Sequence, residues 1–387
     1  MKADVAFPAL LAAARALKPY TTPISWYTPH QRGLRLHTSG DTLTLTAFNG
    51  VETAQIDLPG GTTDGGCAIA ADTLITALTA IKPTPKAAKT ATITLASEQD
   101  RLYLAVSGGS AIVLDTDADG DDAPKGPAIV QPTDAAWPVT AGAVADWCDL
   151  VGKVGWAASR DRAYPDLKVV RLLRDGAGTT LIVEAGDRYR IHRGCWAQPE
   201  GEPVDARIPI AAVERAVKLF TACEPAGRIC VDVDDEHIWW RTDRVRLQAR
   251  TGAEPYLNLE QIREEVCETV NVRFTAGRAE LLAALDTAAA LAATTRRGKV
   301  SIESTGAGAA AVDVTVYADS GGLLHRHPVP VTEAVGPAQA LTFNPRFVRQ
   351  VVAFLDCDTV HVSATAGRLG VYLESGTRHA ILMQVDA

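Results

Sequence analysis

Three stretches of the chain open with a short apolar strand pattern and run directly into a helix pattern. The first is Val5-Ala6-Phe7, leading to Leu17. The second is Trp137-Pro138-Val139, leading through Val144, Trp147, Leu150, Val151 and Val154. The third is Val272-Arg273-Phe274, leading through Leu281, Leu282, Leu285, Ala288 and Leu291. Apolar residues at i, i+3, i+4 and i+7 predict an amphipathic helix in each. Phe7, Val139 and Phe274 lie 132 and 135 residues apart. A second helix pattern starts at Ala71, at Ile210 and at Asn344-Pro345, with offsets of 139 and 134 residues. Asn344 suits an N-cap and Pro345 the first helical position. Two independent features share one period, so the chain reads as three copies of one unit.

Strand pairs fill the spaces between these helices. Leu34 to His37 and Leu43 to Thr46 flank Ser39-Gly40-Asp41, a hairpin signal. Val169 to Leu173 with Thr180 to Val183, and Val300 to Ile302 with Ala311 to Val316, repeat it around glycine-rich turns. Two more strands follow each second helix: Ala91 to Leu95 with Leu102 to Val106, Ile229 to Val233 with His237 to Arg241, and Val360 to Ser363 with Gly370 to Leu373. Each unit therefore reads as strand–helix–strands, twice over, an α+β plan. Asp115 to Pro132 and Thr251 to Glu268 are polar stretches carrying Gly and Pro, which fit linkers. The expected domains are residues 1–126, 134–252 and 268–387.

Composition changes this picture little. The 387 residues are 47% hydrophobic and 22% charged, a globular balance. No apolar run reaches the ~18 residues a membrane span needs, and the start Met1-Lys2-Ala3-Asp4 lacks a signal-peptide pattern. A cytoplasmic protein with no membrane partner is expected. Seven scattered cysteines without a Cys-x-x-Cys pair predict buried free thiols in a reducing compartment rather than disulfides or zinc. The net charge of −8 argues against a conventional nucleic-acid binder.

No stretch supplies convincing chemistry. Asp115-Thr116-Asp117-Ala118-Asp119-Gly120 imitates a calcium loop, but Gly126 stands where a glutamate is needed. His325 and His327 share one side of a strand with no third ligand near. Gly176-Ala177-Gly178 and Gly306-Ala307-Gly308 are turns, since no helix follows them. No catalytic residue, metal or cofactor is assigned; a β-rich enzyme with an unrecognised site is the remote alternative. Basic residues, however, recur at comparable points of each copy. Arg215 with Lys218, and Arg346 with Arg349, can share a helix face, and Lys82, Lys86 and Lys89 follow the first copy's helix. The loops leaving the first helices carry Lys18, then Arg160 and Arg162, then Arg296, Arg297 and Lys299.

The whole chain resembles the bacterial DNA polymerase III β subunit, the sliding clamp. Leu341-Thr342-Phe343-Asn344-Pro345-Arg346-Phe347 is similar to the family's Phe-Asn signature opening its last helix. Ala380-Ile381-Leu382-Met383-Gln384-Val385 resembles its terminal strand, and Ala185-Gly186-Asp187-Arg188-Tyr189-Arg190-Ile191 its Ala-Thr-Asp-Arg-Tyr-Arg-Leu segment.

The resemblance implies three DNA-clamp domains, each a duplicated βαβββ motif, in a head-to-tail homodimeric ring. Helices would line the hole and sheets would lie outside. Such a ring encircles double-stranded DNA without sequence preference and tethers the polymerase α subunit. It implies DNA-facing cations at Lys18, Arg160, Arg162, Arg215, Lys218, Arg296, Arg297, Lys299, Arg346 and Arg349, and pairing of Ser110, Ala111 and Ile112 with the partner's third domain, beside Leu291 and Ala292. A pocket for short peptides of the polymerase and the clamp loader would be lined by Leu167, Gly186, Arg188, Tyr189, Arg190 and Ile191, by Pro255, Leu259 and Leu369, and by Ile381, Leu382, Met383, Gln384 and Val385. A cyclic-peptide clamp inhibitor would fit the same place. The sequence departs there: Gln384 replaces a usual proline, Gly186 a threonine, Asn258 a basic residue, and the end lacks the frequent arginine. These departures suit a specialised, phage- or element-borne, or inhibitor-resistant paralogue, and the Ala- and Thr-rich composition suits an actinobacterial source.

Overall fold

The computed structural model describes the chain except residues 22–32, 82–89, 108–109, 117–136, 175–178, 198–201, 253–255, 297 and 386–387; of residues 137–140 only the backbone is described. Lys82, Lys86, Lys89, Arg297, Pro255, the turn at 176–178 and most of the calcium-like loop therefore lie outside the described residues.

The duplicated unit is present three times. The first copy runs β1 (Lys2–Ala6), α1 (Phe7–Leu17), β2 (Leu34–Ser39), β3 (Thr42–Phe48), β4 (Glu52–Pro59), with a short β5 (Gly61–Thr63). It then repeats as β6 (Gly65–Ile69), α2 (Ala71–Ala80), β7 (Thr92–Glu98), β8 (Arg101–Val106) and β9 (Ala111–Asp115). The second copy is β10 (Trp137–Ala143), α3 (Val144–Val154), β11 (Val169–Arg174), β12 (Thr180–Gly186) and β13 (Arg190–Ala197). Its second motif is β14 (Val204–Pro209), α4 (Ile210–Cys223), β15 (Arg228–Val233), β16 (His237–Arg241) and β17 (Val245–Arg250). After α5 (Leu259–Cys267) comes the third: β18 (Val272–Gly277), α6 (Arg278–Ala292), β19 (Val300–Ser304), β20 (Ala311–Tyr317) and β21 (Leu323–Val335). It ends with β22 (Gln339–Phe343), α7 (Pro345–Phe354), β23 (Thr359–Ala364), β24 (Gly370–Ser375) and β25 (Arg378–Met383).

Local chemistry explains the elements. Asn344 caps α7 by accepting the N–H groups of Arg346 at 3.0 Å and Phe347 at 3.4 Å. On α1 the 3.6-residue spacing buries Phe7, Leu10, Ala13, Ala14 and Leu17. On β8 alternation buries Leu102, Leu104 and Val106 and exposes the residues between them. The helix α5 stands where a linker was expected. Asn258 accepts the N–H of Gln261 at 3.2 Å, and only Leu259 is buried outright.

By contacts the chain divides into two compact units: residues 1–149 with 211–252, and residues 150–210 with 253–387. The first unit holds a five-stranded sheet, β5-β1-β7-β8-β9, and an eight-stranded sheet, β10-β15-β16-β17-β4-β3-β2-β6. In it α1 and α2 pack together. The second unit holds a twelve-stranded sheet, β14-β11-β12-β13-β25-β24-β23-β18-β21-β20-β19-β22, on which α6 and α7 pack side by side. Both large sheets run unbroken from one copy of the repeat into another. No helix among the described residues is long and apolar enough to cross a membrane.

Candidate partner cleft and cation positions

Asp187 shapes the loop between β12 and β13. Its Oδ1 accepts the N–H groups of Tyr189 at 2.8 Å and Arg190 at 2.9 Å, an Asx turn. Asn49 does the same between β3 and β4, accepting from Val51 at 3.1 Å and Glu52 at 2.8 Å. The turn leaves Arg188 and Tyr189 exposed and folds Arg190 inward. The Arg190 guanidinium lies 4.2 Å from the Phe347 ring centroid and donates to Asp187 Oδ2 at 3.3 Å, to the Trp156 carbonyl and to Gln350. Burial lowers its pKa; Asp187 opposes this, and the like charges of Arg346 and Arg160 add to it. Arg188 lies 4.9 Å from the Tyr164 ring centroid and donates to the Tyr164 hydroxyl at 2.5 Å. The Tyr189 and Phe347 rings stand 6.1 Å apart.

The end of the chain runs along this place. Met383 N–H donates to the Tyr189 carbonyl at 2.8 Å, Gln384 N–H to the Leu369 carbonyl at 2.7 Å, and Val385 N–H to the Thr342 carbonyl at 2.9 Å. The Gln384 side chain accepts from Thr342 N–H at 3.3 Å and donates to the Arg368 carbonyl at 2.8 Å, bonds that proline could not make. Arg188, Tyr189, Arg190, Leu369, Met383, Gln384 and Val385 thus come together with Tyr164 and Phe347.

Strand alternation turns Ile191 and Ile381 away from this place and keeps Leu382 on the Arg190 side. Ile191 pairs Ile381, and Arg190 pairs Leu382, so the two pairs face opposite sides of the sheet. Ile191, Ile381, Leu259 and Tyr372 form a buried cluster, with Tyr256, Ile262, Val266 and Cys267 of the α5 segment packed against it. Leu259 is buried in this cluster, and Leu167 is also buried. A Cβ on Gly186 would lie 3.2 Å from Ile191 Cγ1 and 3.7 Å from Leu259 Cδ2. The tight approaches there are to Ile191 and, at 3.3 Å, to the Arg190 carbonyl, while Leu259 would stand at ordinary contact distance. Glu260 anchors α5 through Arg263 and Arg193, and its carboxyl is held down at a pKa of about 2 by the Arg263 hydrogen bond first.

On the Arg190 side, the His192 ring stacks on Phe354 with centroids 4.5 Å apart, and its Nδ1 lies 2.9 Å from the Lys153 carbonyl. Burial pushes its pKa down to about 3. The unfolded chain takes up this proton near pH 6.5 and the folded chain does not. The neutral ring's contribution is thus complete above pH 6.5 and is lost as pH falls from 6.5 toward 3. His192→Phe should flatten that part of the dependence of the urea midpoint on pH; an unchanged slope would assign it to other groups.

Of the expected DNA-facing cations, Arg215 is otherwise committed. Its Nε and Nη2 each lie 2.6 Å from an oxygen of Glu52, which is 3% exposed. The bidentate pair ties α4 to the start of β4 within the first unit. Lys18 sits 2.5 Å from Asp72, and Arg349 pairs with Asp286. Lys218, Arg160, Arg162, Arg296 and Arg346 are exposed, and Lys299 is half-buried. Arg160 and Arg346 act on Arg190, so two residues assigned to DNA lie close to the cleft. Ser110, just before β9, and Ala111 are exposed, Ile112 and Leu291 are half-buried, and Ala292 is buried within its own unit. All seven cysteines are free, with Cys230 and Cys357 exposed rather than buried. No group of metal ligands occurs among the described residues.

Neither a protein-family model nor a curated protein sequence matches the chain. Solved structures do. The DNA polymerase III β subunit of Streptococcus pyogenes matches with a TM-score of 0.83 at 15% identity, over 100% of both chains. The β chain of Streptococcus pneumoniae matches at 0.81 and 16% identity, again over 100% of both. A Pseudomonas aeruginosa sliding clamp bound to griselimycin matches at 0.82 and 14% identity over the same extent. The fold is that of the DNA polymerase III β subunit. The clamp-fold likeness spans all three copies of the repeat, as the sequence resemblance implied. Sequence reasoning did not place Tyr164, Phe347, Asp187 or Gln350 among the cleft residues. Asp187 was within reach, because Asn49 and Asp187 sit at equivalent hairpins of the repeat.

Proposed function

We propose that the chain is a sliding clamp without a reaction of its own: two copies join head to tail around duplex DNA and hold polymerase and loader peptides in the Phe347 cleft. Strand pairing between copies of the repeat carries this reading. The last strand of a second motif pairs with the last strand of another copy's first motif, β17 with β4 and β25 with β13. Leu247 stands opposite Ala54, and Ala380 opposite His192. One strand of each kind is left over. Among the described residues β9 bonds only to β8, and β21 bonds only to β20 from Leu323 to Pro330. A second copy supplies the missing partner for each, a heterologous contact that closes by rotation.

The repeat also fixes the register. Ile112 holds the position of Leu247 and Ala380, and His325 that of Ala54 and His192. Ile112 would therefore face the second copy's position 325, and Ala111 its position 326. These edges expose Val113 (50%), Leu323 (52%) and Leu324 (51%), apolar surface that a partner would cover. Val331 N–H donates inward to the Ala310 carbonyl at 3.0 Å, so alternation turns the nitrogens of Pro328 and Pro330 outward. Lacking N–H groups, they stop the outer ladder after Arg326 and discourage misaligned pairing. Ala111→Cys combined with Arg326→Cys should form a disulfide between copies on mild oxidation, giving a covalent dimer near twice 41.0 kDa. A chain that stays at 41.0 kDa under those conditions would refute the pairing.

Topology would hold the DNA, so the net charge of −8 is no obstacle and a few weak phosphate contacts suffice. Lys218→Glu with Arg296→Glu should shorten the products of primer extension while the dimer mass stays constant; full-length products would remove these cations from the DNA surface. A paralogue with altered partner preference is the second reading. Leu259 packed on Gly186, and the bridging Gln384 side chain, favour it. The Pseudomonas aeruginosa clamp binds griselimycin, and this chain's cleft would accept such a cyclic peptide on altered terms.

A further inference from the structure

We propose that the Phe347 cleft selects an acidic peptide, its carboxylates meeting Arg188 and Arg346 on either side of an apolar anchor. This rests on the reading of the cleft as a partner site and narrows the partner's chemistry.

Two features coincide there. Tyr189 and Leu369 leave 48% and 53% of their surface in water, apolar surface beside the stack of the buried Arg190 guanidinium on the half-buried Phe347 ring. Around it stand Arg188, Arg190 and Arg346, in a chain whose net charge is −8. The carboxylate at hand is already used. Asp187 gives Oδ1 to two backbone N–H groups and Oδ2 to Arg190. Among the described residues neither Arg188 nor Arg346 forms an ion pair. Like charges also press on Arg190, whose pKa falls partly through Arg346. An incoming carboxylate would relieve that repulsion and pair with guanidinium N–H groups that have no carboxylate partner.

Arg188 is also held ready. Its stacking on Tyr164 and its bond to the Tyr164 hydroxyl fix the fork before any ligand arrives, which reduces the ordering cost of binding. Duplex DNA would use the cations but leave Tyr189 and Leu369 idle, since phosphate contacts need no apolar surface. A peptide carrying both carboxylates and an apolar anchor uses everything present. Arg346 thereby moves from the expected DNA surface to the cleft.

Two labelled decapeptides test this, each with a central Leu-Phe pair, one flanked by glutamates and the other by glutamines. At about 50 mM salt, where screening is weak, the glutamate peptide should bind the whole protein about tenfold or more tightly than its glutamine counterpart. Arg188→Gln with Arg346→Gln should bring the two together, with thermal unfolding and binding of a short DNA duplex unchanged. Arg346→Gln alone, an exposed change with little bearing on folding, should remove part of the difference. Equal affinities for wild-type protein would overturn the charge selection and leave the cleft reading standing. Loss of duplex binding with peptide binding intact would return Arg346 to DNA. If neither peptide binds, the cleft reading falls and the selection with it.

Discussion

Val113→Glu together with Leu324→Glu should convert the proposed dimer into a folded monomer of 41.0 kDa by light scattering at micromolar concentration. Both side chains are half in water on free strand edges, at 50% and 51% exposure, so the changes cost the isolated chain little. In the dimer they would face each other across each junction. Two buried apolar side chains contribute roughly 1.5–3 kcal/mol each when fully covered, and opposed carboxylates repel. Each side chain is already half covered, so about half of that gain, roughly 1.5 kcal/mol per junction at the least, is at stake. At about 1.4 kcal/mol per tenfold, each junction should weaken by at least about tenfold, and the two together by about a hundredfold. The charge-swapped chain, Val113→Lys with Leu324→Lys, should also be monomeric. Mixing the two should restore a dimer, because each junction then pairs opposite charges. A double-glutamate chain that stays dimeric would mean the subunits join elsewhere.

Arg215→Ala should destabilise the protein by roughly 3–5 kcal/mol, because it strands a buried carboxylate without its partner. Glu52 is 3% exposed and both its oxygens take bonds from Arg215. Urea unfolding of the first unit reads the loss. Adding Glu52→Ala should recover part of it, since the uncompensated charge is then gone. A loss of under about 1 kcal/mol would place the pair in the class of ordinary surface bridges.

The repeat was legible because its signals are local. Helix spacing and hairpin turns sit in consecutive residues, and the same order recurs at one period, so the plan of strand, helix and strands, twice over, was legible in the pattern. The helix α5 was not. Leu259, Ile262 and Val266 carry its apolar face, but Glu260, Gln261, Arg263, Glu264 and Glu265 make the stretch read as a polar linker. Arg215 misled for a related reason. Its i, i+3 spacing with Lys218 marks a shared helix face, while its partner Glu52 lies 163 residues away and becomes visible only in the fold. The cleft was half legible. The segment from Ala185 to Ile191 was found, but which of its side chains open on the cleft depends on strand alternation. That alternation puts Arg190 beside Phe347 and hides Ile191 under α5.

A closed ring has one property no open binder shares: it cannot leave circular DNA. The chain with Ala111→Cys and Arg326→Cys, mixed with nicked plasmid and then oxidised, should stay with the plasmid through a high-salt gel-filtration column. It should come off once a restriction enzyme cuts the plasmid to a linear form. Release in high salt from circular and linear DNA alike, despite a completed disulfide, would contradict the encircling ring.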